Sequence, residues 1–121
     1  MKKVLIVDDS PTETYQFKDM LEGFGYEVIT ANNGKDGVDI AVKEQPDCVL
    51  MDIVMPDMNG FQATRQICRG DKTSHIPVII VSSKDQETDK VWGERQGAKG
   101  YVTKPFSGDE LVKVMKSVLD E

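Results

Sequence analysis

The sequence predicts an α/β domain in which a parallel β-sheet is covered by helices on both faces. Short, continuously apolar runs rich in Val and Ile are typical of strands that are buried on both sides. Such runs occupy residues 4–7, 48–51 and 78–81, a shorter one spans 101–103, and a further strand is predicted from about Val28. A helix-like segment follows each run. This alternation predicts five strands and five helices in successive βα units.

The first helix has the clearest sequence signals. Ser10 and Glu13 have the spacing of a capping box, and Pro11 occupies the first helical position. Apolar residues then recur with helical spacing before Gly25, which predicts that their side chains are buried; they are Phe17, Met20, Leu21 and Phe24.

The second, third and fifth helices are predicted from similar signals. Asn33 begins the second helix, and Asn59, with Gln62 three residues later, begins the third. Ser107 and Glu110 form a capping box before the fifth helix. The second helix carries Val38, Ala41 and Val42, the third carries Ala63 and Ile67, and the fifth is expected to face inward with Leu111, Val114, Met115 and Val118.

The fourth helix, roughly residues 85–96, is the weakest of the five predictions. Its sizeable apolar residues are Val91 and Trp92, so it is expected to be loosely anchored. Trp92 is expected either in the core or on a surface that binds a partner.

Composition excludes several classes of function. A chain of 121 residues is expected to form a single domain, 1–121, without an output domain. The net charge of −6 and the absence of any block of like charges argue against a nucleic acid or an anionic membrane as partner. No apolar stretch is long enough to insert into a membrane and no secretory signal is recognisable, so a cytoplasmic protein is expected. Cys48 and Cys68 are expected to be reduced thiols.

Polar side chains follow the predicted strands at the points where the strands end. Asp8 and Asp9 follow the first strand, Asp52 follows the third, Ser82 the fourth and Lys104 the fifth. Ligands of open parallel sheets bind beyond the carboxyl ends of the strands. The sequence therefore directs three carboxylates, a hydroxyl and an ammonium toward one place, a combination that suits a divalent cation and a phosphoryl group.

The three carboxylates predict a site for Mg²⁺. Asp8 and Asp9 could simply favour the positive end of the first helix, but Ser10 already caps that helix, and Asp8 directly continues a buried strand. Three clustered carboxylates repel one another, so either one pKa rises or a cation neutralises the group. Oxygen ligands without His or Cys fit Mg²⁺. Lys104 taken alone could be an ordinary surface lysine, although its place before Pro105 favours a defined direction.

Taken together, these residues resemble the signature of the response-regulator receiver domain, the family of CheY, over the whole chain. The matching residues are Asp8, Asp9, Asp52, Met55, Pro56, Gly60, Ser82, Tyr101, Lys104, Pro105 and Phe106. The resemblance implies a doubly wound, flavodoxin-like sheet with strand order 2-1-3-4-5. Ser82 stands where Thr is commoner in the family, which keeps the hydroxyl and loses a methyl group.

The resemblance also implies a phospho-acceptor and a metal site. A partner histidine kinase would transfer a phosphoryl group to the Asp52 carboxylate. Mg²⁺ would be held by Asp9, Asp52 and the backbone carbonyl of Val54, with Asp8 acting mainly through a metal-bound water. Such a receiver is a signalling module that takes part in its own phosphorylation and dephosphorylation, rather than an enzyme.

Three further residues receive roles from the same resemblance. Lys104 would contact one phosphoryl oxygen and Ser82 would hydrogen-bond another. Movement of Ser82 toward the phosphoryl group would open space into which Tyr101 rotates from an exposed to a buried position. The result would be a two-state switch.

A narrower resemblance concerns one branch of the family. Residues 52–56, 59–66, 76–81 and 85–98 resemble the stand-alone receivers of chemotaxis-like systems that control type IV pilus twitching motility. This resemblance implies a kinase of such a system as partner and, downstream, a motility protein. A receiver that serves only as a phosphate sink is the alternative.

Two other classes of protein place carboxylates or phosphates at strand ends. An aspartate-nucleophile Mg²⁺ phosphatase normally has its second acid two residues after the nucleophile, where this chain has Val54. A flavodoxin-like mononucleotide carrier would need a phosphate loop after the first strand, where Asp8 and Asp9 would repel the phosphate. His75 is expected to be a solvated loop residue, and Met51, Met55 and Met58 to fill the core and loops rather than form a redox or copper site.

Overall fold

The computed structural model of the protein describes residues 2–119 and shows strands and helices in strict alternation. The strands are β1 (Lys3–Val7), β2 (Glu27–Ala31), β3 (Cys48–Met51), β4 (Val78–Ser82) and β5 (Gly100–Thr103). The helices are α1 (Pro11–Gly23), α2 (Gly34–Glu44), α3 (Gly60–Arg69), α4 (Glu87–Arg95) and α5 (Gly108–Leu119). The predicted five strands and five helices are confirmed.

The strands form one parallel sheet in the order β2-β1-β3-β4-β5, which confirms the predicted topology. β1 lies between β2 and β3, so the chain reverses its direction of travel across the sheet at β1. The carboxyl ends of β1 and β3 therefore open onto the crevice where doubly wound sheets bind ligands.

Each face of the sheet has its own apolar core. Along β1, Val4 and Ile6 belong to a cluster that includes Leu21 of α1 and residues of α5, whereas Leu5 and Val7 belong to a cluster with residues of α2 and α3. Alternate side chains of a strand point to opposite faces, so a continuously apolar strand requires helices on both sides. The central strands thus lie between two helical layers.

Helix α1 follows most of its sequence prediction. Pro11 is its first residue and Leu21 is fully buried, while Phe17 and Met20 are partly buried against the core. The predicted burial of Phe24 is wrong. The helix ends at Gly23, so Phe24 is the C-terminal capping residue and its side chain is exposed.

The remaining helix signals have mixed outcomes. The side chains of Asn33, Asn59 and Ser107 accept the predicted capping hydrogen bonds of α2, α3 and α5, whereas Val42 of α2 is exposed. Helix α4 is shorter than predicted. Its residue Trp92 is 49% exposed, so this residue lies on the surface and not in the core.

Cys48 is buried, Cys68 is partly buried, and both are free thiols as expected. Within residues 2–119 no helix is both long and apolar enough to cross a bilayer.

Gly60 lets α3 begin directly against the loop that follows β3. Its N–H donates to the carbonyl of Ile53 over 2.9 Å, and a Cβ at this position would lie 2.0 Å from the carbonyl oxygen of Asp52. The three nearest obstructing atoms all belong to the backbone of Asp52 and Ile53, so no side-chain rotation relieves the clash. The position therefore demands glycine for the close approach of two backbone segments.

We expect Gly60→Ala to lower the free energy of unfolding by roughly 2 kcal/mol or more, because the added methyl group must push the Asp52 loop away from α3. Urea denaturation measures the change. Gly23→Ala is the matched control, since no atom lies within 4 Å of its added Cβ and alanine is the better helix former. Equal losses of stability in the two variants would contradict the steric explanation.

Candidate functional site

The parallel register of β1 and β3 brings two carboxylates side by side. Val7 pairs with Met51, and the N–H of Asp52 donates to the carbonyl of Val7 over 3.0 Å. Asp8 and Asp52 are the next residues after these strands, so both side chains emerge at the same edge of the sheet.

The structure brings together the three carboxylates among the predicted metal ligands. One carboxylate oxygen from each of Asp8, Asp9 and Asp52 can be chosen so that all lie within 4.8 Å of one another. Asp8 is only 3% exposed and Asp52 only 9%, whereas Asp9 is exposed. Two of the three negative charges are therefore withdrawn from water.

Lys104 extends into this cluster from the other side of the crevice. Its N–H donates to the carbonyl of Ser82 over 2.8 Å, which continues the ladder between β4 and β5. Its Nζ lies 3.4 Å from a carboxylate oxygen of Asp8 and 3.7 Å from one of Asp52, and the side chain is only 14% exposed. The structure therefore excludes the alternative of an ordinary surface lysine.

Burial dominates the titration of the two inner carboxyls. It raises the pKa of Asp52 to about 6, with the Lys104 ammonium acting in the opposite direction and Asp8 in the same direction. Burial also raises the pKa of Asp8, against hydrogen bonding from the Ser10 N–H. Burial by itself lowers the pKa of Lys104, but the charge of Asp52 and the contact with Glu13 outweigh it, so that pKa is raised. The ammonium thus compensates the cluster only in part.

Ser82 and Tyr101 are linked through the backbone of one residue. The buried Ser82 hydroxyl oxygen accepts from the N–H of Lys84 over 3.1 Å, and the Tyr101 hydroxyl donates to the carbonyl of Lys84 over 2.6 Å. Tyr101 is half-buried, where the sequence predicts an exposed side chain in the resting protein. Its ring lies beside Gly93 of α4, at ordinary contact distance from the place that a Cβ would occupy there.

Glu13 and Phe17 are site residues that the sequence reasoning missed. The Glu13 carboxylate lies 3.1 Å from Lys104 Nζ, which also lies 5.5 Å from the centre of the Phe17 ring. The predicted capping box of α1 forms only in part. Ser10 Oγ accepts from the Glu13 N–H, but the Ser10 N–H donates to Asp8 instead of Glu13. The signal that could have identified Glu13 is its place in the first turn of α1, close in sequence to the acidic end of β1.

A cleft of about 820 Å³ opens over these groups. Its lining includes Asp9, Glu13, Asp52 and Lys104, together with the exposed side chain of Val54 and the apolar side chains of Phe17, Met20 and Phe106. His75 is exposed away from this cleft, while Met51 and Met55 are buried in the core and Met58 is partly buried, as predicted.

Comparison with known proteins identifies the family. Residues 4–116 match the model of the response regulator receiver domain. The chain belongs to this receiver family. It is 60% identical over 119 residues to Protein PilH of Pseudomonas aeruginosa, with 98% of each chain covered. The narrower resemblance predicted from the sequence is to PilH, and this similarity confirms that resemblance.

Solved receiver structures have the same fold. The chemotaxis protein CheY4 of Vibrio cholerae superimposes with a TM-score of 0.92 at 31% identity, covering 98% of both chains. The receiver domain of a sensor histidine kinase from Pseudomonas aeruginosa superimposes with a TM-score of 0.91 at 27% identity, covering 99% of this chain and 98% of its own. That receiver was solved with a magnesium ion coordinated in its active-site cleft.

The acidic cluster of this chain fits Mg²⁺ as well. Its ligands are oxygen atoms, and the buried charges of Asp8 and Asp52 exceed what the single ammonium of Lys104 neutralises. Divalent magnesium requires few protein carboxylates and keeps part of its water shell, which suits a cluster with an exposed member in Asp9.

We expect Asp52→Asn to be more stable than wild type in metal-free buffer at pH 7.5, by on the order of 2 kcal/mol. The folded-state pKa of Asp52 lies above its ordinary value of 3.8. The contribution of Asp52 to the stability of the wild type is therefore fully present below about pH 3.8 and is lost as the pH rises through about 6. The difference between the two proteins should shrink as the pH falls from 7 to 4.

Urea denaturation of both proteins in a chelating buffer across this pH range measures the effect. Asp19→Asn, which neutralises an exposed carboxylate of α1, is the control and should stay within about 0.5 kcal/mol of wild type. Identical pH profiles for wild type and Asp52→Asn would show that burial of Asp52 imposes no cost.

Proposed function

We propose that this protein is a stand-alone receiver that accepts a phosphoryl group on Asp52 from a partner histidine kinase. The observation that carries the proposal is the buried Asp52 carboxylate, held between Asp8, Asp9 and the ammonium of Lys104. A carboxylate is a weak nucleophile, and an incoming phosphoryl group is anionic. A site that combines the two therefore needs positive charge on both sides. The Lys104 ammonium supplies it on one side, and a cation held by the three carboxylates would supply it on the other.

In the proposed reaction, an oxygen of Asp52 attacks the phosphorus of a phosphohistidine on the kinase. The phosphorus–nitrogen bond breaks, its electron pair stays on the imidazole nitrogen, and Asp52 becomes an acyl phosphate. The Ile53 N–H donates to Asp52 Oδ1 over 2.9 Å and orients the carboxylate for this attack. Lys104 balances the charge on a phosphoryl oxygen.

Asp8, Asp9, Asp52 and the backbone carbonyl of Val54 are the groups that would hold Mg²⁺. When bound, the cation supplies charge neutralisation for the carboxylates and for the phosphoryl oxygens. The protein supplies the rest of the site. The end of β3 fixes the position of Asp52, and the largely buried side chain of Lys104 approaches Asp52 from the residue that follows β5.

We propose that Ser82 and Tyr101 convert phosphorylation into a change of surface. If the Ser82 hydroxyl turns to a phosphoryl oxygen, it gives up its hydrogen bond with the Lys84 N–H. Because the Tyr101 hydroxyl is bound to the carbonyl of the same residue, movement of Lys84 also releases Tyr101. The exposed Trp92 of α4 lies on the helix next to Tyr101, so this surface is the one we expect to change.

An aspartate-nucleophile phosphatase is less well supported by the site. The position two residues after Asp52 holds Val54, whose exposed side chain has no acid to protonate a leaving group. We therefore propose a signalling receiver rather than an enzyme that turns over external substrates.

The similarity to PilH supports a role in a chemotaxis-like system that controls type IV pilus twitching motility. The proposed partners are the histidine kinase of that system and, where the protein transmits a signal, a downstream motility protein. We propose action as a single receiver domain in the cytoplasm, where kinase and receiver exchange the phosphoryl group, without nucleic-acid binding or membrane insertion. A phosphate sink remains the second candidate, because it needs the same site.

We expect incubation with a small phosphodonor and Mg²⁺ to add one phosphoryl group to the wild type and none to Asp52→Asn. Asp9→Ala, or removal of Mg²⁺, should slow the reaction at least about 100-fold, because the carboxylates then repel the incoming anion. Intact-mass spectrometry measures the adduct. Steady hydrolysis of simple phosphate esters at enzymatic rates would instead favour the phosphatase.

We expect a strain lacking this gene to show altered twitching that wild-type protein restores and Asp52→Asn does not. Both the signalling receiver and the phosphate sink require phosphorylation at this residue. Twitching zones on agar measure the outcome, with immunoblotting to establish equal amounts of the two proteins. Full restoration by Asp52→Asn would show that the motility role does not depend on phosphorylation.

A further inference from the structure

Helix α1 has the residues of a capping box but forms only one of its two hydrogen bonds, and this departure lies at the functional site. In α3 and α5 the capping box closes in both directions: the side chains of Asn59 and Gln62, and those of Ser107 and Glu110, each accept from the other residue's N–H. In α1 the Ser10 N–H donates to Asp8 instead, so the carboxylate of Glu13 is released from this local role.

Within residues 2–119, the Glu13 carboxylate makes the shortest ion pair of the Lys104 ammonium. Glu13 Oε1 lies 3.1 Å from Lys104 Nζ, whereas the nearest oxygens of Asp8 and Asp52 lie at 3.4 and 3.7 Å. Glu13 is separate from the three carboxylates that form the candidate metal cluster. The ammonium thus divides its charge between that cluster and a fourth carboxylate on α1.

The geometry points to Glu13 as a positioning residue that holds Lys104 in the resting protein and competes with the phosphoryl group for it. This inference rests on the proposed phosphorylation of Asp52. When a phosphoryl group arrives at Asp52, the ammonium that balances it is already partly neutralised by Glu13. The two anions also repel each other across the shared lysine.

Glu13 therefore opposes the phosphorylated state. Its side chain is 39% exposed, so water screens the repulsion and the effect is moderate rather than absolute. The same contact keeps Lys104 extended over the cleft when no phosphoryl group is present, with the Phe17 ring behind it. Glu13 thus shifts the equilibrium between the resting and the phosphorylated form of the site toward the resting form.

The test is binding of beryllofluoride, an anion that mimics a phosphoryl group on a carboxylate, at saturating Mg²⁺. Affinity is measured by ¹⁹F NMR or calorimetry for wild type and Glu13→Gln. We expect Glu13→Gln to bind beryllofluoride roughly fivefold more tightly, because it removes the competing charge. The advantage should shrink as the salt concentration rises. Unchanged or weaker binding by Glu13→Gln would overturn the inference.

Two further variants separate charge from structure. Glu110→Gln makes the same charge change at the corresponding position of α5, where the side chain caps its own helix, and should keep wild-type affinity. Glu13→Asp retains the charge and should also stay near wild type. If either control bound beryllofluoride as tightly as Glu13→Gln does, the effect could not be assigned to the charge of Glu13. Glu13→Gln keeps the N–H that Ser10 accepts, so its melting temperature should match wild type.

The outcomes also distinguish this inference from the proposed function. If wild type binds beryllofluoride and Asp52→Asn does not, the proposed acceptor stands, and the comparison with Glu13→Gln tests Glu13 alone. If wild type fails to bind at any Mg²⁺ concentration, the proposed function fails and the inference fails with it.

Discussion

The withdrawal of two carboxylates from water at the end of the sheet is the constraint on which the rest of this site depends. Asp8 and Asp52 directly continue buried strands, so the backbone that makes the sheet stable also places their charges where solvation is poor. Burial raises the pKa of both carboxyls. The resting fold therefore carries a local electrostatic cost, which a divalent cation bound by these carboxylates would relieve.

Lys104 is the second element of this balance, and its position follows from the sheet rather than from the loop that carries it. The β4–β5 ladder extends to the hydrogen bond between the Lys104 N–H and the Ser82 carbonyl, which directs the side chain inward. The Lys104 ammonium then forms ion pairs with a carboxylate that follows β1, one that follows β3 and one in α1. Because a single charge is shared among several acceptors, any new anion at Asp52 redistributes it. We expect this redistribution to accompany the proposed turn of the Ser82 hydroxyl, through which Tyr101 is released.

The two halves of the site differ in how firmly they are held. Asp8 and Asp52 are anchored by backbone hydrogen bonds to the neighbouring strands β2 and β1, whereas Ser82 and Tyr101 depend on the backbone of Lys84, an exposed residue in the loop before α4. Helix α4 buries little more than Gly93. A rigid acceptor beside a weakly anchored helix is the combination that a phosphorylation-driven surface change requires, since the chemistry needs fixed atoms and the signal needs a segment that moves at low cost.

The sequence by itself determined the alternation of strands and helices, the cluster of Asp8, Asp9 and Asp52, and the approach of Lys104. Those features follow from apolar periodicity and from the rule that parallel strands present their carboxyl ends at one edge. The role of Glu13, the half-buried state of Tyr101 and the exposure of Phe24 and Trp92 were decided only by the tertiary structure. A capping box is a local pattern, and the sequence positions of Ser10 and Glu13 match it. In the fold, the Ser10 N–H donates to Asp8, which is also close in sequence, and the Glu13 carboxylate pairs with Lys104, which is distant in sequence. The second contact depends on the tertiary structure, because it joins α1 to the residue that follows β5.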